Sequence, residues 1–421
     1  MLEFSLDWLD GALNAIVEER RTLCNLRIYV DGKNLCDFVD YEDNVKLHSL
    51  TVPAIHLAEG IASNWWQIFG SRDIEHPILE YRSGFALPDL RFRSDGSTFE
   101  AISKTHISKN PHLRFGVESH TTLTRAEAEK ALGKFVYTVV DRLSSTNIEG
   151  SEVATCWRRV SESRRDPGER AFCEAAGALR SDPYSISEAD EMFIDTASML
   201  FSDEALIEFL AGTNKEDRSM YSADWLSAIE NRPQAVSILP DLTGIHLSIR
   251  EGIRRDLHDR PWALGYRAAR ACRKLLGDGE DTRYSSVAAI ANALGSSRFA
   301  TTEIEGDIRA LISHENGQAH IHLHEHGSVP VNNFAFGRAV GDAVVFREGG
   351  RAVVNNLHYA ERQATGRAFA AEFLAPVNEV KSMTDDGRDC YEIADEFDLS
   401  PQVIEDQLYN QQRIEYACAA D

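Results

Sequence analysis

The spacing of hydrophobic and polar positions changes along the chain, and with it the predicted structure. Near the N-terminus the period is two. Leu26, Ile28 and Val30 alternate with polar neighbours, and Asp31-Gly32 supplies a hairpin turn before Leu35 to Val39. Val45 to Val52 predicts another strand, closed by Pro53. Ala54 to Phe69 then takes helical spacing and carries Leu57, Ile61, Trp65 and Trp66. That spacing, with no basic neighbours, places the two tryptophans in a core rather than against a base. Leu90 to Arg93, Asp95-Gly96 and Thr98 to Ile102 predict a second hairpin. From about Thr122 the pattern is helical, with Thr124 and Glu127 fitting a capping box before a helix over Ala126 to Leu143. Helices are also predicted at Glu188 to Met199 and Glu204 to Ala211, followed by a polar linker from Gly212 to Asp217.

Further on, Pro261 to Arg270 predicts an amphipathic helix with proline in its first turn. Gln318 to His326 alternates again and puts His320, His322, His324 and His326 on one face, Ile321 and Leu323 on the other. Asn316-Gly317 predicts a hairpin in which Ser313 lies opposite His320, Leu311 opposite His322, Arg309 opposite His324 and Asp307 opposite His326. Histidines two apart on a strand can share a metal ion, so His320, His322 and His324 form an alternative metal site. A solvent-facing edge strand with outward histidines is the better expectation. At the C-terminus, Tyr391 to Leu408 resembles a helix–turn–helix, with Ser400 as N-cap, Pro401 at the first helical position, and Ile393, Ala394, Phe397, Val403, Ile404 and Leu408 as a small core. Its acidic residues, Glu405 and Asp406 among them, argue for packing rather than DNA reading.

The chain has 421 residues, enough for two or three domains, and its 67 acidic against 44 basic residues give a net charge of −23. Such a charge repels phosphate backbones. The exception is a basic island at Arg158, Arg159, Arg164, Arg165 and Arg170, diluted by Glu162, Asp166 and Glu169. Seven cysteines without a C-x-x-C pair predict reduced thiols and a cytoplasmic location. No signal peptide or membrane span is expected from the pattern, and hence no membrane partner.

Two stretches carry the candidate chemistry. Phe334 to Phe346 reads Phe-Ala-Phe-Gly-Arg-Ala-Val-Gly-Asp-Ala-Val-Val-Phe, and Ala364 to Pro376 reads Ala-Thr-Gly-Arg-Ala-Phe-Ala-Ala-Glu-Phe-Leu-Ala-Pro. Gly337 and Gly341 share a face, and Ala360, Ala364, Ala368 and Ala371 form a matching small-residue stripe, which predicts close helix packing. Together the stretches resemble the ImmA/IrrE-like metallopeptidase family, whose helices are of the types F-x-x-A-H-E-x-G-H and E-A-N-x-F-A-A-x-L-L-M-P. Phe334, Gly341, Phe369, Ala370, Ala371, Leu374 and Pro376 match this pattern. The resemblance puts the two histidine ligands at Arg338 and Asp342, the general base at Ala339 and the third ligand at Thr365. It resumes upstream at Pro261 to Arg270 and covers roughly residues 220 to 421.

Such a site needs two imidazoles at i and i+4 and a carboxylate base. Arginine has no lone pair to give and alanine is no base. The degenerate positions Arg338, Ala339, Asp342 and Thr365 therefore predict no catalytic residues, no cofactor and no metal. Arg338 and Asp342 keep the i, i+4 relation and either pair with each other or face water. The fold expected is α+β: residues 1–121 an N-terminal mixed α/β domain of unknown function, 122–215 a helical connecting region, and 216–421 a zincin-like (ImmA/IrrE-like) pseudo-peptidase domain with a helical tail. The function expected is a catalytically inactive metallopeptidase-like protein that binds and regulates a protein partner, because family members commonly cleave regulators in bacterial stress, defence or mobile-element circuits. Two alternatives are a hydrolase with an altered site at Asp342, Thr365 or the histidines, and a nucleic-acid-associated subunit acting through Arg158, Arg159, Arg164 and Arg165.

Overall fold

The computed structural model describes residues 1–9, 16–72, 74–96, 98–108, 112–213, 237–239, 245–246, 249, 261–277, 282–296, 301–302, 308–315, 318–324, 328–346, 351–357 and 360–418. Helices and several antiparallel sheets make it an α+β protein. Asn316, Gly317, Asp307, His326 and most of the predicted linker lie outside the described residues. Among the described residues no helix is long and apolar enough to cross a membrane. The chain divides into two compact units, Met1–Ile194 and Asp195–Asp421. The sequence pattern drew boundaries at 121/122 and 215/216 instead.

In the first unit Leu23–Val30 pairs with Leu2–Trp8, Lys33–Asn34 and Leu50–Pro53. Asp31 and Gly32 both have positive φ, at 50° and 74°, which is the backbone a two-residue hairpin turn demands. The second hairpin forms from Asp89–Ser94 and Thr98–Lys104. The helix predicted over Ala54 to Phe69 is two, Ala54–Ser63 and Trp65–Gly70, broken at Asn64. Both tryptophans are buried in the first core. The Arg125–Ser145 helix starts at a complete capping box of Thr124 and Glu127, worth about 1 kcal/mol. Its buried face, including Leu132, Phe135 and Val139, joins that same core. This burial is why residues 122 to 194 belong with the first unit rather than to a separate connector.

The second unit is built on a five-stranded sheet. Gln318–His324 pairs on one side with Ala310–Glu315, which pairs in turn with Arg351–Val354. On its other side it pairs with Ser237–Leu239 and, in parallel, with Thr301–Thr302. The histidine strand is thus interior, not an edge. Its partners on that second side come from short segments with no strand pattern of their own. The predicted register holds, with Ser313 opposite His320 and Leu311 opposite His322. Ala319, Ile321 and Leu323 enter the second core with Ala310, Ile312 and Phe336. Ile393, Ala394, Phe397 and Ile404 of the C-terminal helices are buried in that core, with Val403 and Leu408 packed against it.

Candidate functional site

Three helices pack where the resemblance lies: Pro261–Leu276, Val329–Val345 and Glu361–Leu374. Glycines set their separation. A Cβ on Gly341 would sit 2.7 Å from the Phe369 ring, and one on Gly337 would sit 3.1 Å from Ala370 Cβ. On the third helix, a Cβ on Gly265 would collide with the carbonyl oxygen of Thr365. The backbones approach closely enough that only glycine fits at Gly265 and Gly341 without a shift.

The four positions where the family would keep its chemistry are all buried. They do not converge on one point. Thr365 Oγ1 donates to Pro261 O at 3.1 Å, so this side chain belongs to the flank facing the Pro261–Leu276 helix. Ala339 is core. Arg338 and Asp342 face the Glu361–Leu374 helix, but the ion pair expected between them does not form. Asp342 is held by Arg362 instead, through two hydrogen bonds of 2.8 and 3.0 Å. Burial lowers the Arg362 pKa, and the Asp342 carboxylate more than offsets this, so the guanidinium stays firmly charged. Arg338 Nη2 donates to Asn355 O and, at 2.8 Å, to Gln363 Oε1.

Gln363 is the hub of a buried polar network. Its Oε1 accepts from Arg338 and from the Asn355 backbone N–H at 3.1 Å. Its Nε2 donates to Glu208 Oε2 at 2.7 Å and to Val353 O at 2.8 Å. Asn355 Nδ2 closes the ring by donating to Glu208 O at 3.0 Å. Burial pushes the Glu208 carboxyl up to about 8, against the pull of Arg362. Burial, with repulsion from Arg367 and Arg309, drives the Arg338 guanidinium well below its ordinary value. A guanidinium in place of one imidazole, an Asp already held by Arg362, and a third position facing elsewhere do not fit a zinc ion.

Beside the network lies a cavity of about 610 Å³. Arg309, Arg338 and Arg367 line it together with Trp262, Tyr266 and Phe334. Asp406 is the only acidic residue on its described wall. Arg367 donates to Leu357 O at 2.8 Å, and burial pulls its pKa down to about 10. Arg338 and Arg309 form no ion pair among the described residues. The Arg338 Nε–H is buried without a partner. So is Gln407 Oε1, on the same cavity wall.

The other sequence candidates are drawn into structure. His324 is buried and His320 and His322 are half-buried, so the histidine face does not look outward. Leu311, opposite His322, is buried on that face too. Among the described residues no three His, Cys, Asp or Glu side chains are grouped to hold a metal ion. In the basic island Arg164 and Arg170 bind Glu129 at 2.7 and 3.0 Å, and Arg159 lies over the Tyr184 ring. Arg158, Arg159 and Arg165 remain exposed. Glu208, Asn355, Arg362 and Gln363 were not singled out by the sequence. Glu208 meets Gln363 and Asn355 across 155 and 147 residues of chain, which no local spacing signals.

Compared with protein-family models, with curated proteins and with solved structures, the chain finds no match in any of the three.

Proposed function

We propose that this chain is a non-catalytic relative of the ImmA/IrrE-like metallopeptidases that binds and regulates a protein partner. The support for the family is the joint order of Phe334, Gly341 and Phe369 on two helices in contact, with Pro376 just beyond the second. The observation that carries the loss of catalysis is the Arg338–Gln363–Glu208 network, which occupies the face where a peptidase would present metal ligands. A buried polar network with its central amide fully satisfied is a structural element rather than a vacant reaction centre. Asp342 and Thr365 are each engaged, by Arg362 and by Pro261 O, which disfavours the altered hydrolase. Two of the five island arginines neutralise Glu129 internally, which disfavours the nucleic-acid subunit.

The test uses untagged full-length protein. Elemental analysis should find far less than one zinc per chain. One tightly held ion per chain, lost in Asp342→Ala, would overturn the non-catalytic reading. Reciprocal co-purification from the native host should recover one partner in stoichiometric amount and uncleaved. Recovery of a partner cut at a single site would restore the peptidase.

A further inference from the structure

Two residues that line one cavity each carry a buried polar atom without a partner, and the two atoms are of opposite kind. Arg338 Nε–H is a donor with nothing to donate to, in a residue only 6 % exposed. Gln407 Oε1 is an acceptor with nothing to accept, in a residue at 0 %. The orientation of the Gln407 amide is fixed, because its Nε2 donates to Ala375 O at 2.6 Å and to Glu372 Oε2 at 3.2 Å. Leaving such groups unmade costs about 1–3 kcal/mol each, more for a charged one. A ligand that supplies both an anionic acceptor and a neutral donor would recover that cost.

Charge and shape narrow the ligand further. Three arginines line one cavity with a single described acidic residue, Asp406, in a chain whose net charge is −23. Arg338 is destabilised as a cation by burial and by Arg367 and Arg309, so an entering anion relieves repulsion as well as filling a hydrogen bond. The Arg338 Nε–H and the Arg309 guanidinium can both donate to a carboxylate. Trp262, Tyr266 and Phe334 give the rest of the wall an apolar, aromatic character. The volume of about 610 Å³ holds a ligand of two or three amino-acid residues.

We propose that this cavity binds an N-acylated amino-acid end: a carboxylate for the arginines, an adjacent amide N–H for Gln407 Oε1, and an apolar side chain among Trp262, Tyr266 and Phe334. The C-terminus of a polypeptide and a free N-acyl amino acid share this chemistry. As the recognition site for a protein partner, the proposal rests on the partner-binding reading above. As a ligand site it stands on the cavity alone.

The experiment is calorimetric titration of the full chain with N-acetyl-Leu-Phe as free acid and as C-terminal amide, and with N-acetyl-Phe and phenyl phosphate. The expected result is one saturable site for the dipeptide acid, at least tenfold weaker binding of the amide, and at least fivefold weaker binding in Arg309→Gln. N-acetyl-Phe binding as well as the dipeptide identifies a free acyl amino acid as sufficient; weaker binding favours a polypeptide end. Arg338→Gln should also weaken the acid, and half-buried Arg309 keeps the test decisive if that variant does not fold. Equal affinity for acid and amide, no heat with any acid at millimolar concentration, or binding of phenyl phosphate alone would overturn the proposal. A partner retained by Arg309→Gln, while the dipeptide is lost, removes the cavity from partner recognition and leaves partner binding standing. Stoichiometric zinc with intact dipeptide binding does the reverse.

Discussion

Removing the Gln363 side chain should damage the second unit more than its uncharged character suggests. Four groups lose a hydrogen bond in Gln363→Ala: the Arg338 guanidinium, which keeps Asn355 O, the Asn355 N–H, the Glu208 carboxyl and the Val353 carbonyl. A buried neutral group left unmade costs about 1–3 kcal/mol, and an abandoned charged group more. Simple addition would exceed any plausible single-residue effect. The groups share one site, though, so the costs are not additive. Arg338 keeps its bond to Asn355 O and no ion pair is broken, so the expected loss is about 2–4 kcal/mol, somewhat above that of one unmade group. Urea unfolding followed by tryptophan fluorescence and by far-ultraviolet circular dichroism measures it. If the two units unfold in separate steps, the step that moves should be the one Asp342→Ala also moves. A loss below about 1 kcal/mol, with unchanged denaturant slope, would refute the hub role assigned to Gln363.

Three further outcomes are expected. Asp342→Ala strands Arg362, which is only 11 % exposed at its side chain, and should cost about 3–5 kcal/mol by the same unfolding assay. Glu208 holds a proton in the folded chain up to about pH 8 that an unfolded glutamate releases near ~4.3. Its contribution is thus greatest below the lower value and falls as pH rises towards 8, by at most ~1.4 kcal/mol per pH unit. Glu208→Gln should flatten stability against pH in that window relative to wild type, and an unchanged slope would remove the buried acid from consideration. Gly341→Ala forces a methyl against the Phe369 ring and should cost about 1–3 kcal/mol, where an exposed glycine-to-alanine change in a helix would stabilise.

What the sequence made legible was local, and what it hid was shared between distant segments. Asp31-Gly32, the Thr124–Glu127 box and the Pro261 helix start each act within a few residues, and each formed as its own chemistry dictates. The break at Asn64 was missed because Trp65 and Trp66 continue a helical apolar pattern across it. The histidine strand was taken for an edge because alternation reports two faces and says nothing about neighbours. The pairing of Arg338 with Asp342 was the nearest one in sequence. In the fold both side chains face another helix, and its Arg362 and Gln363 offer better geometry than a partner four residues away.

The same distinction bears on the resemblance itself. Gly337, Gly341 and Gly265 are required by three helices in close contact, whatever chemistry those helices once served. Small residues at these positions therefore speak for packing. A functional ancestry must be sought where packing is indifferent. Thr365 is not such a place: it is fully buried and faces the Pro261–Leu276 helix, so a glutamate there would meet Pro261 O rather than Arg338 or Asp342. Arg362 and Gln363 occupy the flank that does meet them. If a metal site once existed here, its loss involved more than the exchange of four side chains. The Glu361–Leu374 helix turns its Arg362 and Gln363 flank towards Val329–Val345, and the Arg338–Gln363–Glu208 network helps hold it in that setting.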